Sequence, residues 1–103
     1  MIDGVIHTFD SHKEAKRFDE LWMLQGADKI KELKLQPKYL LLDTLRIKGE
    51  KTLQKVHYIA DFEYKNQSGA VMVEDVKGFK TPLYKLKKHL FLKAYPSYIF
   101  KEI

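Results

Sequence analysis

The chain has 103 residues and a mass of 12.2 kDa, the size of one domain with a single core. Hydrophobic residues make up 45% and charged residues 32% of it, a balance that excludes a disordered tail and a membrane protein. No apolar run approaches the roughly 20 residues of a membrane helix. Residues 1–4 lack the basic start of a signal peptide. We therefore expect one cytoplasmic domain over residues 1–103.

The charge is unevenly distributed along the chain. The net charge of +5 suggests an acidic partner, nucleic acid first. Residues 1–52 hold 10 basic and 9 acidic side chains, whereas residues 53–103 hold 9 and 5. Cysteine is absent, which excludes disulfides and thiolate metal sites. Any metal must therefore be held by oxygen, which favours Mg²⁺ or Mn²⁺ over structural zinc.

The N-terminal part of the chain predicts a strand, a helix and one ambiguous segment. Residues 4–9 are typical of a short strand. Ser11 and Glu14 have the spacing of a capping box, so a helix begins at residue 10 or 11 and ends near Gly26. Residues 30–35 fit either a short helix or a strand.

The remaining chain predicts a meander of strands followed by a helix and a last strand. Strands are expected over residues 39–48, 52–64 and 70–77, with turns at residues 48–51 and 66–69. Pro82 suits the first turn of a helix that Pro96 ends, and residues 98–103 form the last strand. The resulting order, (β)αβββαβ, indicates an α/β protein with helices packed on a mixed sheet.

Two acidic residues face each other in the predicted hairpin. A turn centred near residue 68 pairs residues whose numbers sum to about 136, which places Asp61 opposite Asp75. Directly opposed residues have Cα atoms roughly 4.5–5.5 Å apart, and two like charges at that distance are destabilising. Either one carboxyl stays protonated, a lysine intervenes or a cation binds.

The strand that carries Asp75 also brings Lys77 to the same face, about 6–7 Å further along. Magnesium sites often use one or two carboxylates together with a substrate phosphate. Such an ion lowers the pKa of bound water and stabilises charge on a phosphoryl group. Two acids and a neighbouring lysine are thus the parts that phosphodiester hydrolysis requires.

These residues resemble the signature of the PD-(D/E)XK nuclease superfamily. Ala60 and Asp61 stand where the family has Pro-Asp, and Asp75, Val76 and Lys77 stand as its (D/E)-x-K. Over nearly its full length the chain is also similar to small phage and prophage proteins grouped with these nucleases. The resemblance implies a restriction-endonuclease-like (β)αβββαβ core, with a mixed central sheet flanked by helices, and the cytoplasm of the host cell for a phage-encoded chain.

The resemblance also implies roles for the site residues. Asp61 and Asp75 would bind Mg²⁺ or Mn²⁺, with the backbone carbonyl of Val76 as a third ligand. Lys77 would orient or polarise the attacking water. Glu14 stands where many members, including archaeal Holliday-junction resolvases, carry a further acid, and would bind the metal directly or through water. The alternative for Glu14 is a capping role alone, and for the aspartates a pairing with surface lysines.

Residues that follow the predicted site are candidates for DNA contacts. Lys80 lies on the loop after it and is the best candidate for the DNA backbone. Lys85, Lys88 and Tyr84 follow on the helix, where a solvated lysine face is the alternative.

The combined expectation is a metal-dependent DNA endonuclease, selective for branched DNA such as Holliday junctions, acting in phage recombination or replication. A homodimer would place two sites on two strands, and no membrane partner is expected. One alternative is a non-catalytic nucleic-acid-binding or accessory protein that retains the nuclease fold. Another is a protein-interaction module whose basic face meets an acidic protein.

Overall fold

A computed structural model describes residues 9, 11–76 and 80–103, which form an α/β arrangement with a mixed sheet. Its elements in chain order are α1 (His12–Gly26), β1 (Lys31–Leu35), β2 (Lys38–Leu42), β3 (Val56–Ile59), β4 (Phe62–Lys65), β5 (Val71–Asp75), α2 (Pro82–Ala94) and β6 (Ile99–Glu102). The strand predicted at residues 4–9 lies outside the described residues except for Phe9, and Lys77 lies outside them too. No helix in the described part of the chain is long and apolar enough to cross a membrane.

Both helices begin where their capping residues predict. The Ser11 hydroxyl accepts a hydrogen bond from the Glu14 N–H at 3.1 Å, and the Thr81 hydroxyl accepts one from the Tyr84 N–H at 3.1 Å. Each bond satisfies one of the amide donors that a helix N-terminus leaves without a partner. Gly26 is the last residue of α1, as expected.

The main sheet has the strand order β1-β4-β5-β6. Strands β5 and β6 are parallel, whereas the β1–β4 and β4–β5 pairs are antiparallel, so the sheet is mixed as predicted. Helix α2 makes the crossover that a parallel pair requires. Consecutive residues of β5 belong to two cores, because side chains alternate along a strand. Met72 packs in the cluster of Phe18 and Leu21 from α1, and Val73 in the cluster of Phe91 from α2.

The ambiguous segment is a strand, β1, and two predicted strands are shorter than expected. The single strand expected over residues 52–64 is wrong, because the chain bends at Ala60 and Asp61 and divides into β3 and β4. The Ala60 N–H donates to the Pro37 carbonyl at 3.1 Å, and the Gln36 N–H donates to the Asp61 carbonyl at 2.9 Å. Gln36 has a φ of 51°, so the chain between β1 and β2 also bends, opposite the bend at Ala60 and Asp61.

The strand expected over residues 39–48 ends at Leu42, and β2 pairs with β3 in a separate two-stranded sheet. Beyond that sheet, residues 43–55 form a ribbon, called the arm below. Its two sides meet at an isolated antiparallel bridge between Leu45 and Leu53. The molecule is elongated, with principal extents of 55 × 29 × 26 Å.

Candidate active site

The β4–β5 hairpin sets the position of the acidic residues. The turn at residues 66–69 closes through the Asn66 side chain, which accepts from the N–H groups of Ser68 and Ala70, each at 3.0 Å. Gly69 has a φ of 85°, a conformation that glycine adopts without strain. Phe62 then pairs with Glu74, which is the register predicted from the turn.

The ladder ends at that pair, so Asp61 lies at the bend before β4 and is not the direct cross-strand partner of Asp75 that the turn predicts. Its N–H donates to the Glu74 carbonyl at 3.1 Å, and its carboxyl accepts from the Val76 N–H at 2.6 Å. Asp75 is fully buried at the end of β5 and accepts a hydrogen bond from the Tyr58 hydroxyl. The carboxyls of Asp61 and Asp75 interact electrostatically. Because Asp75 is fully buried, the alternative of a surface acid paired with a lysine is wrong for this residue.

The electrostatic state of the pair follows from its burial. Burial raises the pKa of Asp61 to about 7, although the Val76 N–H opposes the shift, and the charges of Asp75 and Glu14 raise it further. A hydrogen bond between the Asp61 and Asp75 carboxyls acts in the same direction. Such a bond requires one of the two acids to retain its proton. Two carboxyls that share a proton are also placed to share a cation, since both interactions use the same oxygen lone pairs.

Glu14 reaches this acidic centre from the other layer of the fold. Its residue is 5% exposed, although it lies in the first turn of a surface helix. Its charge raises the pKa of Asp61, and its backbone N–H donates to the Ser11 hydroxyl at 3.1 Å. Capping therefore accounts for the backbone N–H of Glu14, and its carboxyl acts electrostatically on Asp61.

Asp61 and Asp75 are the candidate donors for a divalent cation. Within residues 9, 11–76 and 80–103, no group of three or more His, Asp or Glu side chains is arranged to hold a metal ion. Asp61 and Asp75 supply two carboxylates, and magnesium usually completes its octahedron with water and phosphate. The described residues therefore fit a two-carboxylate Mg²⁺ or Mn²⁺ site and do not form a complete protein cage.

Sequence reasoning missed the network around Glu74. Glu74 is fully buried and forms a bidentate pair with Arg17, whose Nε and Nη2 atoms each lie 2.7 Å from one carboxylate oxygen. The Tyr64 hydroxyl donates to the same carboxylate. The signal in the sequence was an acid within an apolar strand, since a buried carboxylate needs a cationic partner.

A basic groove lies beside the acidic centre. Glu102 is the register partner of Asp75 across the β5–β6 pair. Its carboxylate binds Lys80 at 3.0 Å and also accepts a hydrogen bond from Lys88. The hydrogen bonds from Lys88 and Lys80 lower the pKa of Glu102 to about 2. Two of the predicted DNA contacts thus have a carboxylate counter-ion in the protein, which the acid-free stretch from residue 80 to residue 101 did not reveal.

The other predicted contacts differ in exposure. Tyr84 is only 8% exposed, and its electrostatic neighbours include Glu102. Lys85 is exposed at the rim of the groove, which has a volume of about 400 Å³. A second cleft of about 250 Å³ between β3 and the start of α2 is lined by Tyr58 and Tyr84. The electrostatic neighbours of both tyrosines include Asp75, so the clefts and the acidic centre form one region.

Comparison with known families gives one finding. The family model described as "Protein of unknown function (DUF1064)" matches residues 1–102 of the chain. Neither the curated proteins nor the solved structures contain a significant match.

Proposed function

Since the chain belongs to the DUF1064 family, whose function is unknown, we propose from the site itself that it is a metal-dependent DNA endonuclease. The observation that carries the proposal is the juxtaposition of Asp61 and Asp75, one half-buried and one fully buried, at the end of the β4–β5 hairpin. A basic groove beside them offers a place for the phosphates of a substrate. An acidic pair next to lysines matches the needs of phosphodiester hydrolysis.

The proposal includes the restriction-endonuclease-like fold of the PD-(D/E)XK nucleases. Three features support it: a helix with a buried Glu14, an antiparallel hairpin with both aspartates, and a crossover helix that leads to a parallel strand. Ala60 lies at the bend where the resembling nucleases have proline, and it is 1% exposed. The bend therefore forms without the proline ring.

Asp61 and Asp75 would hold Mg²⁺ or Mn²⁺, with Glu14 next to them and the carbonyl of Val76 as a further ligand. When bound, the ion supplies a water of lowered pKa and stabilises negative charge on the phosphoryl group. The Val76 N–H orients the Asp61 carboxylate, and the Tyr58 hydroxyl orients that of Asp75. These bonds fix both carboxylates before substrate arrives, so little reorganisation is needed.

The lysines would act on the substrate. Lys77, outside the described residues, is proposed to orient the attacking water. Lys80 and Lys88 would exchange the Glu102 carboxylate for a phosphate of the DNA backbone, with exposed Lys85 at the rim. Lysine is suited to this exchange because its ammonium group binds a phosphate as a point charge. Selectivity for branched DNA in phage recombination or replication remains part of this proposal.

A second candidate function is supported by the raised pKa of Asp61. A retained proton satisfies the acidic pair without any metal. A protein that binds nucleic acid and cuts nothing could therefore keep the same fold and the same acids.

Cleavage of labelled linear, flapped and four-way DNA, with and without Mg²⁺ at about pH 8, separates the two candidates. We expect Mg²⁺-dependent cutting by the wild type and by Asp19→Asn, a chemically identical change at an exposed position of α1. Asp75→Asn and Lys77→Ala should lose at least about 100-fold in rate while remaining folded by thermal unfolding. Binding without cutting would support the non-catalytic candidate, and unchanged cutting by Asp75→Asn would reject the site.

A further inference from the structure

The arm projects from the β2–β3 sheet as a narrow ribbon. Leu45 and Leu53 exchange both backbone hydrogen bonds at 2.9 Å, so the two sides of the arm are paired. The turn at its tip closes through a bond from the Glu50 N–H to the Ile47 carbonyl at 2.9 Å. Gly49 has a φ of 79° there, which permits the tight turn. The two sides of the arm are thus joined at one antiparallel bridge and at the turn of its tip.

Basic side chains dominate the charge of the arm. Four basic and two acidic residues occur in these 13 positions, and all six side chains are exposed: Arg46, Lys48, Lys51, Lys55, Asp43 and Glu50. Among the described residues, no ion pair involves a residue of the arm. In the part of the chain that the structure describes, the cations of the arm thus have no ion-pair partner, in contrast to Lys80 and Lys88, which share Glu102.

The charge selects the kind of partner. A second copy of the chain docked arm to arm would bring two sets of excess positive charge together, and like charges in contact are unfavourable. A polyanion, in contrast, is attracted by the four basic side chains of the arm, which outnumber its two acidic ones. The apolar cavity at the base of the arm, about 600 Å³ and lined by Leu42, Leu45 and Leu53, is compatible with sugar and thymine methyl contacts.

The shape of the arm selects among polyanions. The major groove of duplex DNA is about 12 Å wide and admits a two-stranded ribbon. Lysine and arginine side chains along such a ribbon reach the phosphates on either side of the groove, and these contacts supply most of the affinity that does not depend on sequence.

We propose that the arm is a ribbon that binds duplex DNA. It contacts the substrate at a distance from the phosphate that is cut. This inference rests on the proposed function, because it takes DNA as the substrate. The arm supplies binding and register, and the acidic centre supplies the chemistry. Loss of the arm's charge should therefore weaken substrate binding and leave the chemical step intact.

Fluorescence anisotropy of a labelled duplex, measured without divalent metal between about 50 and about 200 mM salt, tests the proposal. The arm variant changes four cations to glutamine: Arg46, Lys48, Lys51 and Lys55. The control variant removes the same charge elsewhere, on α1 and the chain that follows it: Lys13, Lys16, Lys29 and Lys31. The arm variant should lose at least about tenfold in affinity. Its negative slope of log affinity against log salt should become shallower by about 0.9 for each lost phosphate contact.

For the control variant, the slope of log affinity against log salt should differ from that of the wild type by less than about 0.9, the value for one phosphate contact. Equal slopes for the two variants would overturn the role of the arm. A change in molar mass by light scattering with no change in slope would overturn it too, because the arm would then be a protein interface. Both variants should keep the thermal unfolding midpoint of the wild type, since every changed side chain is exposed.

Cleavage kinetics distinguish failure of this inference from failure of the proposed function. The arm variant should show a raised KM and an unchanged kcat at saturating DNA, because it lacks only binding contacts. A wild type that binds duplex through the arm but cuts no substrate rejects the nuclease and keeps the ribbon. A wild type that cuts while the arm and control variants bind alike keeps the nuclease and rejects the ribbon.

Discussion

Glu74 and Asp75 are neighbours on β5 and are both fully buried, yet they meet different surroundings. Glu74 points to the α1 side, where Arg17 forms a bidentate pair with its carboxylate. Asp75 points to the α2 side, where it accepts from Tyr58 and meets the carboxyl of Asp61. Burial alone therefore does not distinguish the two acids, whereas the identity of the partner does.

The difference divides the acids of the hairpin into two kinds. The charge of Glu74 is neutralised by a residue that the fold itself supplies, so its role is structural. The pair of Asp61 and Asp75 depends on a proton, whose occupancy changes with pH near neutrality. Because metal binding to carboxylates competes with protons, a divalent cation that bound the pair would displace this proton.

Removal of the arginine partner should have the largest effect on stability. Arg17→Met leaves the Glu74 carboxylate buried without its cation, which typically costs about 3–5 kcal/mol. Urea denaturation should show this loss, whereas Lys16→Met, at an exposed position next to it, should stay within about 0.5 kcal/mol of the wild type. A loss below about 1 kcal/mol for Arg17→Met would show that the pair is not the structural element of this face.

Asp75→Asn should have little effect on the free energy of unfolding and a large effect on cleavage. The amide oxygen can still accept from Tyr58, and the like charge beside Asp61 is removed. The free energy of unfolding at about pH 8 should therefore stay within about 1 kcal/mol of the wild type, while cleavage is lost. A destabilisation above about 2 kcal/mol in urea would show that Asp75, like Glu74, has a structural role.

Stability should also depend on pH through Asp61. Its pKa is about 7 in the folded chain, against an ordinary value of 3.8. Between these values the folded state retains a proton that the unfolded chain has released, so stability falls as pH rises. The free energy of unfolding of the wild type should decline from about pH 4 to about pH 7 relative to Asp61→Asn. A difference between the two proteins that is flat or rises over this window would contradict the raised pKa.

A smaller effect is expected from Glu102, which neutralises cations next to the acidic centre. Glu102→Gln frees Lys80 and Lys88 for phosphate, so duplex affinity should rise about two- to tenfold at low salt. Glu32→Gln is the matched control, because Glu32 is exposed and also pairs with a lysine, Lys65 at 2.7 Å. Equal affinities of the two variants would mean that Glu102 does not compete with phosphate.

Local chemistry explains what the sequence could predict. The turn at residues 66–69 fixes its own hairpin through Asn66 and Gly69, so the register of β4 against β5 follows from nearby residues. The helix starts at Ser11 and Pro82 are equally local. The resemblance to the nuclease motif depends on the same short segments, and it stays a prediction.

Distant contacts explain what the sequence could not predict. The partner of Glu74 lies 57 residues away on another element. The bend that separates β3 from β4 depends on hydrogen bonds to Gln36 and Pro37, which no pattern within residues 52–64 contains. The neutralisation of Lys80 by Glu102 likewise requires β6 to lie beside β5.

Calorimetric titration with Mn²⁺ tests most directly whether Asp61 and Asp75 exchange their proton for a cation. At about pH 8 the wild type should bind the ion, and Asp75→Asn, folded by thermal unfolding, should not. At about pH 6 binding to the wild type should release close to one proton, measured in buffers of different ionisation enthalpy. Failure of the wild type to bind, or equal binding by Asp75→Asn, would contradict a metal centre at this pair.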